Sequence, residues 1–196
     1  VNRGELEQAI IDYMKRPDLV NVTNLFVIQA TARIGRLLRS RHNEIWETGV
    51  DIQGGVYQLP AKFVELRRVE RNGPGGVQVL RSLNNEAAAR VSRGDGAPIG
   101  YQLAAGRLYL KPPGAGSFNL GYWVEPADLT AAGSENPVLT AYPSLYLYAS
   151  LIEGYTYIRD WEMVQGMTQI AATEVQQINQ SEKRARLGAT PAMGAA

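Results

Sequence analysis

Cysteine is absent from the 196 residues, and histidine occurs once, as His42. Without thiols the chain has no disulfide, thiolate metal site or Cys nucleophile, and a lone imidazole cannot build a ligand cluster. Long apolar runs are missing too: nothing reaches the ~18 residues needed to span a bilayer. The start, VNRGELEQAIIDYMKR, has neither the basic n-region nor the apolar h-region of a signal peptide, so a soluble protein is expected. Val at position 1 reads as a removed initiator methionine or a numbering that starts after it. Excess charge of one sign is also lacking, since 20 basic residues face 19 acidic ones. Bulk electrostatics therefore name no partner. What is present, 45% apolar and 20% charged residues, places the chain among globular proteins. The length fits one domain, or one domain with a large insertion, and suffices for a core without covalent staples.

Catalytic patterns are as scarce. There is no HExxH and no GxSxG. His42 follows an arginine-rich helix end, where an imidazole interacts with the helix dipole more readily than it serves as a base. Asp51 and Glu65 could form a carboxylate pair of the glycosidase kind, although acidic residues on adjacent strands are common. Glu125, Asp128 and Glu135 lack the alternation of a calcium loop. RNGPGG and GAGS lack the Lys and Ser/Thr of a phosphate loop and read as turns. No catalytic residue, metal or cofactor is expected.

The apolar pattern begins helical. Leu6, Ala9, Ile10, Tyr13 and Met14 form one stripe between Gly4 and Arg16, before Pro17. A second helix is expected from Thr23 or Asn24 to about Arg41, with Leu25, Val27, Ile28, Ala32, Ile34, Leu37 and Leu38 on a broad apolar face. Arg33, Arg36, Arg39 and Arg41 lie off it and read as a solvated face with carboxylate neighbours rather than a nucleic-acid patch. From Glu44 the period becomes two. WETGVDIQGGVYQLP predicts a hairpin turned at Gly54-Gly55, followed by a strand over Phe63–Glu70 and another at VQVL. Ser82 would cap a short helix, Leu83–Val91, ending at Gly94. Strands over Ile99–Leu103, Arg107–Leu110 and Phe118–Glu125 complete an antiparallel meander, with Phe118, Leu120, Tyr122 and Val124 on one face. ADLTAAGSENPVLTAYP is a polar bridge. A helix then starts at Tyr142-Pro143, and Asp160 caps a long one with Val164, Met167, Ala171, Val175 and Ile178 as its stripe.

The helix after Pro143 poses the main question, because Tyr142 to Asp160 holds five tyrosines. Each buried phenol needs a polar partner, which an interface supplies as readily as a core. Leu145, Tyr148, Ala149, Ile152 and Tyr155 share one stripe, while Tyr146 and Tyr157 point elsewhere.

Taken in order, LEQAIIDYMKRPDL, ATARIGRLLRSRHNE, LPAKFVELRRV, GAPIGYQLAAGRLYLKP and YPSLYLYASLIE make the chain similar to the head-to-tail adaptor proteins of tailed bacteriophages, the group that includes the tail accessory adaptor of short-tailed phages. The similarity runs from about Leu6 to Leu187. It implies an α+β fold in which a helical bundle of N- and C-terminal helices, residues 1–43 and 127–187, carries a central antiparallel β-rich insertion, residues 44–126. A flexible tail, 188–196, would complete the chain; it is shorter than in relatives whose C-terminal extension reaches the portal. The resemblance further implies a non-enzymatic virion protein. Twelve copies would form a ring below the portal protein, extend the DNA channel and offer a platform to the tail nozzle or other tail proteins. Genomic DNA would pass without sequence-specific contact. With this resemblance Lys183, Arg184, Arg186 and Leu187 are the expected portal-binding residues, with a frayed helix end as the alternative. Tyr146, Tyr148, Tyr155 and Tyr157 are the expected subunit-interface residues, with an intramolecular core as theirs. The competing functions are a cell-wall glycan hydrolase and a monomeric β-rich binding module.

Overall fold

The computed structural model describes residues 1–91 and 96–187. The fold is mixed α+β, with six α-helices and one seven-stranded sheet among the described residues. The chain divides into two compact units: Val1–Asn43 together with the chain from Glu125 onward, and Glu44–Val124.

The first unit is helical. α1, Arg3–Met14, opens with a capping box in which Asn2 Oδ1 accepts from the Glu5 amide at 2.9 Å and Glu5 Oε2 from the Asn2 amide at 3.1 Å. α2 spans Thr23–Leu37, stopping short of the expected Arg41. Leu38 turns extended and is wholly buried, and the polar groups around it are taken by side chains from elsewhere in the unit. Tertiary contacts there outcompete the helical propensity of the arginines. α4, Pro137–Ala141, lies inside the segment that reads as a polar bridge. Asn136 starts it, with Oδ1 accepting from the Leu139 amide at 2.7 Å. α5, Pro143–Tyr157, packs against α1, α2, α4 and α6. That position explains why Leu145, Tyr146, Ala149, Ser150, Leu151, Ile152 and Tyr155 are all buried: the helix is enclosed on most sides, not on one stripe. Gly154 permits the closest approach, because a methyl there would stand 2.7 Å from Met14 Sδ. α6, Trp161–Leu187, is started by Asp160, whose Oδ1 accepts from the Met163 amide at 3.2 Å. It buries Met167, Ala171, Val175 and Ile178 on the expected stripe.

The second unit holds the sheet, in the order β1-β7-β3-β4-β5-β6-β2. Its strands are β1 Glu44–Ile52, β2 Val56–Gln58, β3 Phe63–Gly73, β4 Gly76–Ser82, β5 Gly100–Ala104, β6 Arg107–Lys111 and β7 Gly116–Val124. The expected hairpin at Gly54-Gly55 does not form. The turn exists, at φ +64 and +73, but β1 pairs with β7 while β2 pairs with β6. A nine-residue β1 finds a full-length partner in the nine-residue β7, which a three-residue β2 cannot match. The plain meander is corrected as well. β7, last in the chain, inserts between β1 and β3, and β4 meets β5 in parallel through Arg81–Gly100 and Ser82–Tyr101. A parallel neighbour requires a crossover. Part of it is α3, Asn85–Val91, where Asn84 rather than Ser82 provides the cap: Asn84 Oδ1 accepts from the Ala87 amide at 2.8 Å. Ser82 is committed to the sheet. The predicted helix end at Gly94 lies outside the described residues. The core of this unit is Ile52, Val69, Leu80, Leu108, Leu110 and the expected face of β7, Phe118, Leu120 and Tyr122. Each such side chain contributes about 1.5–3 kcal/mol by leaving water.

Candidate functional site

The end of α6 is the most elaborately held segment of the helical unit. Asn179, Glu182 and Arg186 succeed one another at helical spacings of three and four, which places them on one face. That face grips the chain between α2 and β1. Asn179 Nδ2 donates to the Leu37 carbonyl at 3.0 Å, and Asn179 Oδ1 accepts from the Arg39 amide at 2.7 Å. Arg186 Nη2 donates to the Arg39 carbonyl at 3.2 Å. Glu182, only 3% exposed, sits between them. Its Oε1 receives Arg41 Nε at 3.0 Å and the hydroxyls of Ser40 and Tyr142 at 3.4 Å each, and Arg186 stands 3.9 Å from Oε2. Burial pushes this carboxyl up, but the hydrogen bond and charge of Arg41, with Arg186 behind, outweigh it and hold the group below the usual carboxylate range. Asn43 closes the clasp, receiving the Ser40 amide at 3.0 Å and donating to the Leu38 carbonyl at 3.1 Å.

The expected portal-binding residues divide on this clasp. Lys183 and Arg184 are exposed, whereas Arg186 is half-buried and engaged within the chain. Leu187 is the last described residue of α6, and the tail 188–196 lies outside the described residues.

The four expected interface tyrosines divide as well. Tyr146 is completely buried, and its hydroxyl accepts from Asn136 Nδ2 at 2.9 Å. Tyr155 is buried too. Tyr148 is half-buried along a groove between α5 and α6, and Tyr157 is exposed with its ring centroid 5.6 Å from that of Phe26. Tyr13 and Trp161 are further exposed aromatics of the same unit, overlooked because each falls on an otherwise amphipathic stripe or at a helix start. The five-tyrosine segment thus serves three needs: Tyr146 and Tyr155 fill the core, Tyr142 joins the Glu182 clasp, and Tyr148 and Tyr157 remain accessible.

Of the arginines off the α2 stripe, Arg33 pairs with Glu153 at 2.7 Å and Arg41 with Glu182 at 3.0 Å. His42 belongs to a short 3₁₀ turn beyond α2, edge-on to Tyr142 at 5.6 Å. It does not occupy the helix end as expected, because α2 stops five residues earlier, at Leu37. The Asp51 and Glu65 carboxylates are not brought together. Asp51 is opposite Ser117 and Glu65 opposite Trp123, six residues apart along β7. At the ~3.3 Å rise of a strand that is roughly 20 Å, too far for a glycosidase pair. RNGPGG is the β3–β4 hairpin turn, and GAGS leads into β7, not into a helix.

In the sheet unit, Glu47 is the notable polar group. It accepts from Tyr57 at 2.8 Å and Tyr122 at 2.7 Å, so a carboxylate on the edge strand β1 is satisfied by two phenols. Burial first, and the hydrogen bond to Glu47 second, push the Tyr57 phenol up to about 12 and raise Tyr122 further. Glu47 on β1 ties together strands from opposite ends of the sheet order.

Among the described residues no group of three or more His, Asp or Glu is placed to hold a metal ion, and no helix is long and apolar enough to cross a membrane. What the geometry offers is exposed apolar and aromatic surface on a well-tied helical unit. No curated protein matches the chain. The family model described as SU10 adaptor protein matches residues 1–193, nearly the entire length, and the chain therefore belongs to the SU10 adaptor family.

Proposed function

We propose that this protein is the head-to-tail adaptor of a tailed bacteriophage: about twelve copies form a ring under the portal protein, lengthen the DNA channel and give the tail nozzle or other tail proteins a platform. The observation that carries this reading is the family match over residues 1–193. In this reading the helical unit is a bundle contributed by both ends of the chain, and the sheet unit is an insertion between them. The protein is a structural component of the virion and not an enzyme. DNA is cargo, as the balance of 20 basic and 19 acidic residues suits a conduit that must release what it carries.

The portal contact falls to the end of α6 and the tail 188–196. Lys183 and Arg184 are exposed there, on a helix whose previous turn is fixed by the clasp. A rigid take-off limits the ordering entropy that a short segment loses when it binds. Truncation after Glu182 tests this assignment. The clasp keeps Asn179 and Glu182, so the shortened chain is expected to fold and to lose portal binding in a pull-down. Full binding by a folded, truncated chain would contradict the assignment.

A further inference from the structure

α2 is apolar on two opposite sides, and among the described residues the core covers only one. Val27, Ala30 and Ile34 are buried at 1% exposure or less. Leu25, Ile28, Ala32 and Arg36, at spacings of three and four, run along the other side, where Leu25 is 46% and Ile28 53% exposed. A helix with apolar residues on both faces is one that is normally covered on both. The helical unit also has a shallow groove of about 560 Å³ between α5 and α6, lined by Ser144, Tyr148, Ile170, Thr173 and Glu174 among others. Ile170 is 42% exposed.

The stripe and the groove complement one another in apolar character and charge. Two branched aliphatic side chains project from the stripe, and the groove offers the faces of Tyr148 and Ile170. Arg36 is exposed and has no ion-pair partner among the described residues. Glu174 accepts from the Ser144 hydroxyl and likewise has no ion pair among them. On α2, Arg36 is eight residues beyond Ile28, about 12 Å; on α6, Glu174 is four beyond Ile170, about 6 Å. The reach of an arginine side chain spans that difference.

We infer that α2 of one copy lies in the α5–α6 groove of the next, with Leu25 and Ile28 against Tyr148 and Ile170 and Arg36 paired with Glu174. Because the two surfaces differ, the contact is head-to-tail and propagates, which is what a closed ring requires. The inference rests on the adaptor reading and assigns the surfaces by which its copies meet.

The absence of cysteine makes the test clean. Full-length Ile28→Cys, Ile170→Cys and the double variant are mixed with portal protein and treated with a short bis-maleimide. The double variant is expected to give a ladder of covalent multimers, and each single variant only monomer. A second arm needs no crosslink: Arg36→Glu alone is expected to weaken assembly at least tenfold, and Arg36→Glu with Glu174→Arg to restore it. If the unmodified chain assembles on portal while the double cysteine variant gives no ladder and the charge swap no rescue, this interface is wrong and the adaptor reading stands. If the unmodified chain does not assemble with portal at all, both fall together.

Discussion

Replacing Glu182 should loosen two segments at once. The carboxylate is 3% exposed and takes hydrogen bonds from Arg41, Ser40 and Tyr142, so Glu182→Ala leaves a cavity beside two hydroxyls that stand 3.2 Å apart and can then satisfy only one of their two donors with each other. A hydrogen bond to a charged group contributes about 1.5–3 kcal/mol net when buried. Arg41 itself is 69% exposed and returns to water, so its share is that of a surface pair, up to about 1 kcal/mol. The 3.4 Å hydroxyl contacts are long and add less. The expected cost of Glu182→Ala is therefore about 2 kcal/mol, that of Arg41→Ala about 0.5, and that of Glu182→Gln, which keeps an acceptor, about 1. Urea unfolding gives these values. Hydrogen exchange gives the sharper result: amides of Leu38–Asn43 and of the last turn of α6 should lose protection together in Glu182→Ala. Fraying of the helix end alone, with Leu38–Asn43 unchanged, would refute the clasp. The acid limit comes from the same group. Its folded pKa lies below the unfolded one, so its contribution is full above the usual carboxylate range and is lost as pH falls through the depressed value.

Asn136→Ala removes both the start of α4 and the donor to the Tyr146 hydroxyl, and should cost about 2–3 kcal/mol in thermal or urea unfolding, against about 1 for Tyr146→Phe, which leaves Asn136 bonded to the Ala127 carbonyl; equal costs would mean that Asn136 acts through the phenol alone. In the sheet unit the Tyr57 phenol is held up to about 12, above its unfolded value, so its contribution is complete below pH 10 and disappears as pH rises through 12. Absorbance titration should show this late phenolate, and Glu47→Gln should move it to lower pH; a Tyr57 titration unchanged by that substitution contradicts the assigned bond. Arg33→Ala should cost under about 1 kcal/mol, because the guanidinium paired with Glu153 is 38% exposed, and a larger loss by urea unfolding would mean that Arg33 also packs.

The helices are legible because their signals are local. Pro143 and Asp160 mark starts that depend only on nearby residues, and the stripes of α1 and α6 repeat often enough to be read without a partner; the Asn2–Glu5 capping box that opens α1 is just as local but is not among the expected starts. The second helix shows the limit. Leu37 ends it because Asn179, 142 positions later, caps its carbonyl, and no window of sequence holds both residues. The sheet pairing escapes for the same reason. Gly54-Gly55 announces a turn correctly, but turn chemistry says nothing of which strand a nine-residue β1 will find, and β7 lies beyond five other strands. Of the candidate site, the tyrosine-rich helix stands out by composition, yet composition cannot tell Tyr146, completely buried and bonded to Asn136, from Tyr157, left at the surface. The second apolar face of α2 is visible as breadth. Whether a broad apolar face is one core or two surfaces depends on what packs beside it.

The central claim is an adaptor that becomes a ring on its portal. Individually weak contacts between copies add when a preassembled portal holds neighbours close, and a near-neutral chain imposes little repulsion on them. Sedimentation of the purified full-length chain, alone and with portal protein, tests this most directly. The account predicts a monomer alone and a complex with portal whose mass corresponds to about twelve added copies. A chain that remains monomeric and does not cosediment with portal would contradict it.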